Sequence, residues 1–244
     1  MILYYKYLSY LNIYIQILFQ ILMTLTLGID DAGRGPVIGP MVLAGCLIDD
    51  KTAKELKKLG VADSKTLTQK RREILAEKIK EMAEIFEIII VSAPEIDQNN
   101  YDGTKLNEVE AIACASIINK INKGFNEIKV IVDCPSVSIT KWTDYLKTKI
   151  KNLSNLDVSC EHKADKNHIS VSAASILAKC VREKEMGDLK KIYGDEIGSG
   201  YCSDPSTQKF LEKFAAKHKD KGIFRKTWIT WQKAHEKIGQ RTLV

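Results

Sequence analysis

The sequence lacks the short motifs that mark zinc sites and nucleotide-binding loops. Its six cysteines include no C-x-x-C pair, and no His and Glu residues have the helical spacing of a zinc site. No Gly-x-x-x-x-Gly-Lys-Ser/Thr loop is present, which argues against a nucleoside triphosphatase. The chain also contains no internal repeat and no low-complexity tract. Zinc-stabilised folds, P-loop enzymes and repeat arrays are therefore not predicted.

Basic side chains only slightly outnumber acidic ones. The 244 residues include 37 basic and 31 acidic side chains, which gives a net charge of +6. Such a mildly basic surface fits a polyanionic partner but does not require one. The length and the 45% hydrophobic content are typical of one soluble domain with a smaller helical appendage. The cysteines lie mostly in apolar runs, as expected for reduced core residues of a cytoplasmic protein.

Residues 1–23 are hydrophobic but lack a signal-peptide cleavage site. No charge occurs between Tyr7 and Ile29, although polar amides interrupt this stretch at Asn12, Gln16 and Gln20. Almost no linker separates the stretch from the first predicted strand. We therefore expect residues 1–23 to be a non-native extension before a start at Met23, or a disordered or helical segment. Under this interpretation no membrane association is expected. The alternative is that these residues form a membrane anchor.

The most informative stretch follows directly. Alternating apolar residues from Leu25 to Ile29 predict a strand that brings Asp30 and Asp31 side by side. A Gly-Arg-Gly-Pro turn at 33–36 then leads into a second apolar strand, Val37–Ile48. Two carboxylates between buried strands are costly without a neutralising charge, and carboxylates suit a hard cation such as Mg²⁺. A hairpin with two solvated turn aspartates is the alternative.

Strands alternate with helices up to Gly187, and only helices follow. Further strands are predicted at Ile85–Ser92, Lys129–Asp133 and Val158–Glu161, and the first is expected to be buried because nearly all its residues are apolar. Helices are predicted at Lys51–Leu59, Gln69–Met82, Pro94–Tyr101 (or a turn), Lys105–Asn122, Ile139–Lys151 and Ile169–Glu185, and then at Leu189–Tyr193, Ser206–His218 and Lys226–Lys237. This order predicts an α/β fold with a mixed sheet, a domain at 24–187 and a helical subdomain at 188–244.

Acidic residues recur at the strand ends or just past them: Asp30, Asp31, Asp133 and Asp165. In an α/β sheet such positions meet at one edge, where ligands collect. Because four carboxylates repel one another, we expect the site to hold cations. A pair of divalent ions that supports phosphodiester cleavage fits this requirement.

A polar loop at 64–66 is a second candidate site. Ser64, Lys65 and Thr66 offer hydroxyls and an ammonium group to a phosphate just ahead of a helix that Thr68 is expected to cap. The loop is equally compatible with a plain capping role.

Taken together, these motifs resemble the ribonuclease HII family, most closely its archaeal form. The resemblance runs from about Thr24 to Trp228 and rests on DDAGRGP at 30–36, DSKTL at 63–67, VD at 132–133, KAD at 163–165, SAASILAK at 172–179 and GSGYCSDP at 198–205. It implies a ribonuclease H-like mixed sheet flanked by helices, with a C-terminal helical cap. It also implies a metal-dependent endonuclease that hydrolyses the RNA strand of RNA–DNA hybrids. Such an enzyme cuts 5′ of ribonucleotides embedded in duplex DNA and leaves 3′-hydroxyl and 5′-phosphate ends.

The resemblance also assigns roles to individual residues. It implies that Mg²⁺ or Mn²⁺, as two divalent ions, is bound by the acids Asp30, Asp31, Asp133 and Asp165. It implies that the ribose 2′-hydroxyl is approached by the backbone of Gly33, Arg34 and Gly35, since glycines allow such close contact. Tyr201 corresponds to a tyrosine that packs on the sugar after the ribonucleotide. The nucleic-acid backbone is expected to contact Ser64 and Lys65.

Two features depart from the family pattern. The family usually has Glu where this chain has Asp31, and the shorter side chain predicts altered activity and a stronger preference for Mn²⁺. The terminal residues 240–244 carry a Gln and a Leu but no following pair of aromatics, so binding to a sliding clamp is not expected. A monomer is expected.

Two alternatives remain at this point. Ribonuclease HIII carries an additional N-terminal DNA-binding domain, and residues 1–23 do not resemble one. A weakened protein that binds hybrids without cutting them is suggested by Asp31 alone.

Overall fold

A computed structural model of the protein describes residues 24–62, 64–124 and 126–241. The expectation for residues 1–23 therefore lies outside the described residues. Within the described ranges the chain forms one five-stranded sheet with helices on both faces and a helical cap at the C-terminal end. The α/β class and the mixed sheet are confirmed.

The sheet is mixed because its two halves are built differently. Its strands are β1 (Leu25–Ala32), β2 (Met41–Asp49), β3 (Ile85–Val91), β4 (Ile128–Asp133) and β5 (Leu156–Glu161). They lie in the order β3-β2-β1-β4-β5. The β1–β2 and β2–β3 pairs are antiparallel, whereas β1–β4 and β4–β5 are parallel. The carboxyl ends of β1, β4 and β5 therefore meet at one edge.

The second strand begins at Met41 rather than at Val37. Residues 37–40 are held by the C-terminal cap instead of by the sheet. The amides of Val37 and Ile38 donate to the Gly200 carbonyl at 2.9 and 3.2 Å, and Ile38 forms a bridge with Phe224. This long-range pairing overrides the apolar pattern that predicted a strand.

The prediction that the strand from Ile85 is buried is wrong. β3 is an edge strand, and Ile85, Phe86 and Ile90 are exposed. An apolar β-branched run has the same sequence signature at an edge as at the centre of a sheet, so its position depends on strand order.

Most helices agree closely with the predicted segments. The exceptions are a helical turn at 164–167, where no helix was predicted, and the merger of two predicted helices into one. They are α1 (Asp50–Lys58), α2 (Gln69–Met82), α3 (Ala93–Tyr101), α4 (Leu106–Ile121), α5 (Ile139–Thr148), α6 (Ala164–Asn167), α7 (Ile169–Tyr193), α8 (Pro205–Phe214) and α9 (Ile229–Arg241). Helix α7 continues through Gly187 and includes the short helix that was predicted separately at 189–193. A single glycine inside a helix costs only about 1 kcal/mol. Packing of Met186 and Leu189 in the cap offsets this cost.

Helix α7 lies directly on β1. A Cβ atom on Gly28 would meet the Ser170 carbonyl carbon at 2.1 Å, so only glycine allows this approach. On this face α7 packs with α2, while α4 and α5 cover the opposite face. The close approach places the first turns of α7 beside the end of β1.

The cap has its own apolar cluster. Phe210, Phe224 and Ile197 are buried there together with Val37 and Ile38 from the segment after β1. No described helix is long and apolar enough to span a bilayer. All six cysteines are free, and four of them are buried: Cys46, Cys114, Cys134 and Cys160.

Candidate active site

The two adjacent aspartates are the last polar residues of β1. Successive side chains of a strand leave on opposite faces. Asp30 is buried and lies beside Ser175 of α7, whereas Asp31 lies on the side of Arg34 and Glu110 of α4. The Asp31 amide donates to the Asp30 Oδ1 atom at 2.7 Å. The pair thus reaches the edge of the sheet from two faces.

Asp133 and Asp165 approach the same edge from the parallel half of the sheet. Asp133 ends β4, and its Oδ1 atom accepts a hydrogen bond from the Ala164 amide at 2.8 Å. Lys163 turns the chain into α6 with a left-handed φ of 58°. Asp165 follows in that one-turn helix and is 4% exposed. The tight turn therefore places Asp165 directly after the segment bonded to Asp133.

A single cavity of about 840 Å³ collects every predicted site residue. Its lining includes the four acids, the turn after β1, the loop before α2 and the tyrosine of the cap: Asp30, Asp31, Gly33, Arg34, Gly35, Ser64, Lys65, Asp133, Asp165 and Tyr201. These residues come from segments between 30 and 201, so the fold is what brings them together.

Burial and mutual repulsion raise the pKa values of Asp30, Asp31 and Asp133. Burial raises the pKa of Asp30 well above its ordinary value, and the neighbouring Asp31 charge raises it further. Burial also raises the pKa of Asp31 to about 6, against the opposing effect of Arg34. The pKa of Asp133 is raised by burial as well. A cation in the cavity would reverse this penalty, because it favours the ionised form.

The donors in this cavity are carboxylate oxygens, which suit Mg²⁺ or Mn²⁺. Over the described residues, no group of three or more His, Cys, Asp or Glu side chains is arranged as a metal site. The four acids therefore share a cavity without forming a preassembled cage. Their chemistry fits divalent ions.

The turn after β1 is held by α4 and by the C-terminal cap. The Arg34 Nε atom donates to Glu110 of α4 at 2.9 Å, and its Nη2 atom donates to Asn107. From the cap, Arg225 donates to the carbonyl of Gly33. A Cβ atom on Gly35 would have no neighbour within 4 Å, so this glycine is open to an approaching molecule.

The 64–66 loop forms one turn of 3₁₀ helix, and Ser64 is buried in it. The Ser64 hydroxyl lies 2.9 Å from that of Ser175, and Lys179 donates to it. The Lys65 ammonium group lies near enough to favour the ionised form of Asp133. Thr68 caps α2 through the Arg71 amide, as predicted.

The Ribonuclease HII family model matches residues 27–231. The chain belongs to the ribonuclease HII family. A ribonuclease HII of Methanococcus maripaludis is 43% identical over 206 residues, covering 83% of this chain and 84% of the relative. The enzyme of Methanobrevibacter smithii is 42% identical over 209 residues, covering 85% and 96%. The predicted archaeal-type family is confirmed.

Solved structures agree with this assignment. Ribonuclease H2 of Pyrococcus horikoshii superposes with a TM-score of 0.78 at 37% identity, covering 88% of this chain and 98% of that one. Ribonuclease HII of Archaeoglobus fulgidus, solved in complex with PCNA, gives 0.72 at 38% identity, covering 82% and 92%. A ribonuclease HIII solved with Mn²⁺ gives 0.71 at 21% identity, covering 87% and 70%, and supports the fold alone.

Membership of the ribonuclease HII family makes the chain a metal-dependent hydrolase that acts on nucleic acid, and supports endonuclease activity on RNA–DNA hybrids. The ribonuclease H-like fold and the enzyme class expected from the motifs are thereby confirmed.

Sequence reasoning assigned no role to several residues around this ribonuclease HII cavity. They are Glu110, Ser175, Lys179, Arg182 and Arg225. Glu110 had a detectable signal, because it lies four residues after Leu106 and three before Ala113 on the apolar face of α4. Arg182 and Arg225 had none, since their partners are distant in the sequence.

Proposed function

We propose that this chain cuts 5′ of ribonucleotides embedded in duplex DNA, as well as the RNA strand of hybrids, by a two-metal-ion mechanism. The products would carry 3′-hydroxyl and 5′-phosphate ends. The observation that carries the proposal is the convergence of four aspartates, a glycine-rich turn and an exposed tyrosine on one cavity. Acids suit phosphodiester hydrolysis, and the other two elements can read sugars.

In this proposal the acids hold the metal ions. Asp30, Asp31, Asp133 and Asp165 provide the oxygen ligands for two Mg²⁺ or Mn²⁺ ions, with side-chain rotation on binding. Bound ions would supply an activated water and neutralise charge on the leaving oxygen. The Ala164 amide keeps Asp133 in one orientation, and the Asp31 amide does so for Asp30.

Recognition of the substrate falls to the remaining cavity residues. The backbone of Gly33, Arg34 and Gly35 would contact the ribose 2′-hydroxyl, which distinguishes RNA from DNA. The Tyr201 ring, 42% exposed, would pack on the following deoxyribose. The phosphate backbone would be contacted by Lys65, and by Ser64 once its hydroxyl is released from the buried network.

The test uses a labelled DNA duplex with one ribonucleotide, an all-DNA duplex and a uniform RNA–DNA hybrid. We expect cleavage 5′ of the ribonucleotide in Mg²⁺ or Mn²⁺ and none in EDTA. Asp133→Asn should abolish it, whereas Asp157→Asn, an exposed acid on β5, should not. Cleavage of the all-DNA duplex, or cleavage 3′ of the ribonucleotide, would contradict the proposal.

A second candidate is a protein that binds hybrids without cutting them. It is favoured by the short Asp31 side chain, which lies beside the buried Glu110 carboxylate. Binding of the ribonucleotide duplex with no product in either metal would support this candidate over the first.

We propose a cytoplasmic monomer for which residues 240–244 do not provide a sliding-clamp site. Residues 242–244 lie outside the described part of the chain, and the PCNA complex concerns the Archaeoglobus fulgidus relative. Light scattering of the purified chain, alone and with a sliding clamp, tests both statements. A dimer mass, or a stable complex with the clamp, would contradict them.

A further inference from the structure

Arg182 of α7 lies between the two elements expected to read the substrate. Its guanidinium carbon is 5.0 Å from the centre of the Tyr201 ring, within cation–π distance. Its Nη2 atom donates to the Ser199 carbonyl at 3.2 Å, in the loop that carries this tyrosine. The side chain also lines the cavity.

The other side of Arg182 packs against the turn after β1. A Cβ atom built on Gly33 would lie 2.2 Å from the Arg182 Nε atom and 2.3 Å from its Cδ atom. Gly33 therefore leaves room for the arginine stem as well as adopting a φ of +81°. One side chain thus touches both the turn and the tyrosine.

Burying the Arg182 guanidinium group here carries an unfavourable free energy. It is 8% exposed, and its Nε atom has no hydrogen-bond partner. Among the described residues, no carboxylate lies within ion-pair distance of its guanidinium group. Burial lowers its pKa. A buried cation without an anion is destabilising, so packing alone does not account for it.

The backbone beneath Tyr201 has other anchors besides its hydrogen bond with Arg182. Asp204 accepts bonds from the amide and the hydroxyl of Ser199, both at 2.6 Å. The Gly200 amide donates to the Thr207 hydroxyl at 3.0 Å. These hydrogen bonds do not constrain the orientation of the Tyr201 ring, against which Arg182 lies.

We propose that Arg182 is a positioning residue for substrate specificity, which fixes the Tyr201 ring relative to the Gly33 turn. This inference rests on the proposed function, in which the turn reads the ribose and the ring reads the next sugar. Because only a junction between RNA and DNA engages both elements as proposed, loss of Arg182 should weaken junction preference more than cleavage itself.

The experiment compares kcat/KM on the single-ribonucleotide duplex with kcat/KM on the uniform hybrid. Arg182→Met keeps the stem beside Gly33 and removes the guanidinium group, and we expect the ratio of the two values to fall about tenfold. Arg182→Lys keeps a cation without the planar face and should give an intermediate ratio. Arg71→Ala is the control, because Arg71 is an exposed arginine that contacts the carbonyl of Leu59 and does not line the cavity. Its ratio should stay within twofold of the wild-type ratio.

A double-mutant cycle with Tyr201→Ala separates positioning from folding. In the Tyr201→Ala background, Arg182→Met should change the ratio no further, because there is no ring to hold. Ratios that multiply, or an Arg182→Met ratio equal to the Arg71→Ala ratio, would overturn the inference. If the wild type leaves the single-ribonucleotide duplex intact, the proposed function fails and this inference with it.

Discussion

Arg225 donates a hydrogen bond over 2.6 Å to the carbonyl oxygen of Gly33, a residue 192 positions earlier in the chain. The same guanidinium group donates to the carbonyls of Arg34 at 2.7 Å and Gly39 at 3.1 Å. It is fully buried and lies over the Trp228 ring. The C-terminal cap therefore fixes the turn beside the acids.

Replacing Arg225 should loosen this connection. Arg225→Ala leaves three carbonyls without their donor, two of them in fully buried bonds, and we expect a loss of about 3 kcal/mol in the free energy of unfolding. Arg225→Lys should lose nearly as much, since one ammonium group cannot reproduce the planar contacts. Urea unfolding measures both. Arg71→Ala is the control, because the exposed Arg71 contacts a single carbonyl, that of Leu59, and its removal should cost under about 0.5 kcal/mol.

The two glycines of the Gly-Arg-Gly turn should respond differently to alanine. Gly33→Ala meets a positive φ of +81° and contacts at 2.2 Å with Arg182, so we expect a loss of at least about 2 kcal/mol in unfolding free energy. Gly35→Ala has open space and should change stability by under about 0.5 kcal/mol.

The Gly35→Ala variant should lose activity although its stability is unchanged. Its added methyl group stands where the proposed ribose contact is made, so kcat/KM on the single-ribonucleotide duplex should fall although the fold is intact. A Gly35→Ala enzyme with wild-type activity would contradict the contact. Equal unfolding free energies for the two variants would contradict the packing of Gly33.

The stability of the metal-free protein should decrease as the pH rises above 4. Burial raises the pKa of Asp31 to about 6 in the fold, and the pKa of Asp30 is raised as well. A raised pKa in the folded state stabilises the fold below the ordinary value near 4, and this stability is lost as the pH rises through about 6. We expect a loss of about 2 kcal/mol in unfolding free energy between pH 4 and 7 in EDTA.

The controls use the same measurement. Asp31→Asn cannot titrate, so its stability should depend less on pH. Hydrogen bonds from Ser199 lower the pKa of Asp204 to about 2. Asp204 therefore changes the unfolding free energy only below about pH 4, outside the measured range. Mg²⁺ at pH 7 should recover part of the lost stability in the wild type. Identical pH profiles for the wild type and Asp31→Asn would contradict the argument.

Local patterns were sufficient to predict most of the fold. The apolar alternation predicted β1, the helical spacing of apolar residues predicted α4, and Thr68 predicted the start of α2. Each of these signals depends only on neighbours within a few residues. The recurrence of acids at strand ends singled out the four candidate metal ligands, all of which line the cavity.

Contacts between distant segments were not predictable. Val37 reads as a strand residue but is bonded to Gly200 of the cap, and β3 reads as a central strand but lies at an edge. Arg182 and Arg225 read as ordinary charged residues. Their burial depends on partners up to 192 positions away, which no single-sequence pattern encodes.

Restoring the longer acid at position 31 should change the metal response. Asp31 leaves β1 on the side of Glu110, and one more methylene group would extend its carboxylate by about the length of a C–C bond. We expect Asp31→Glu to raise kcat in Mg²⁺ about tenfold and to reduce the preference for Mn²⁺, since metal sites respond to shifts of about 1 Å. Cleavage of the single-ribonucleotide duplex across a titration of each metal measures this, with Asp31→Asn as the inactive control. An unchanged rate and an unchanged Mg²⁺-to-Mn²⁺ ratio would show that the shorter side chain already reaches its ligand position.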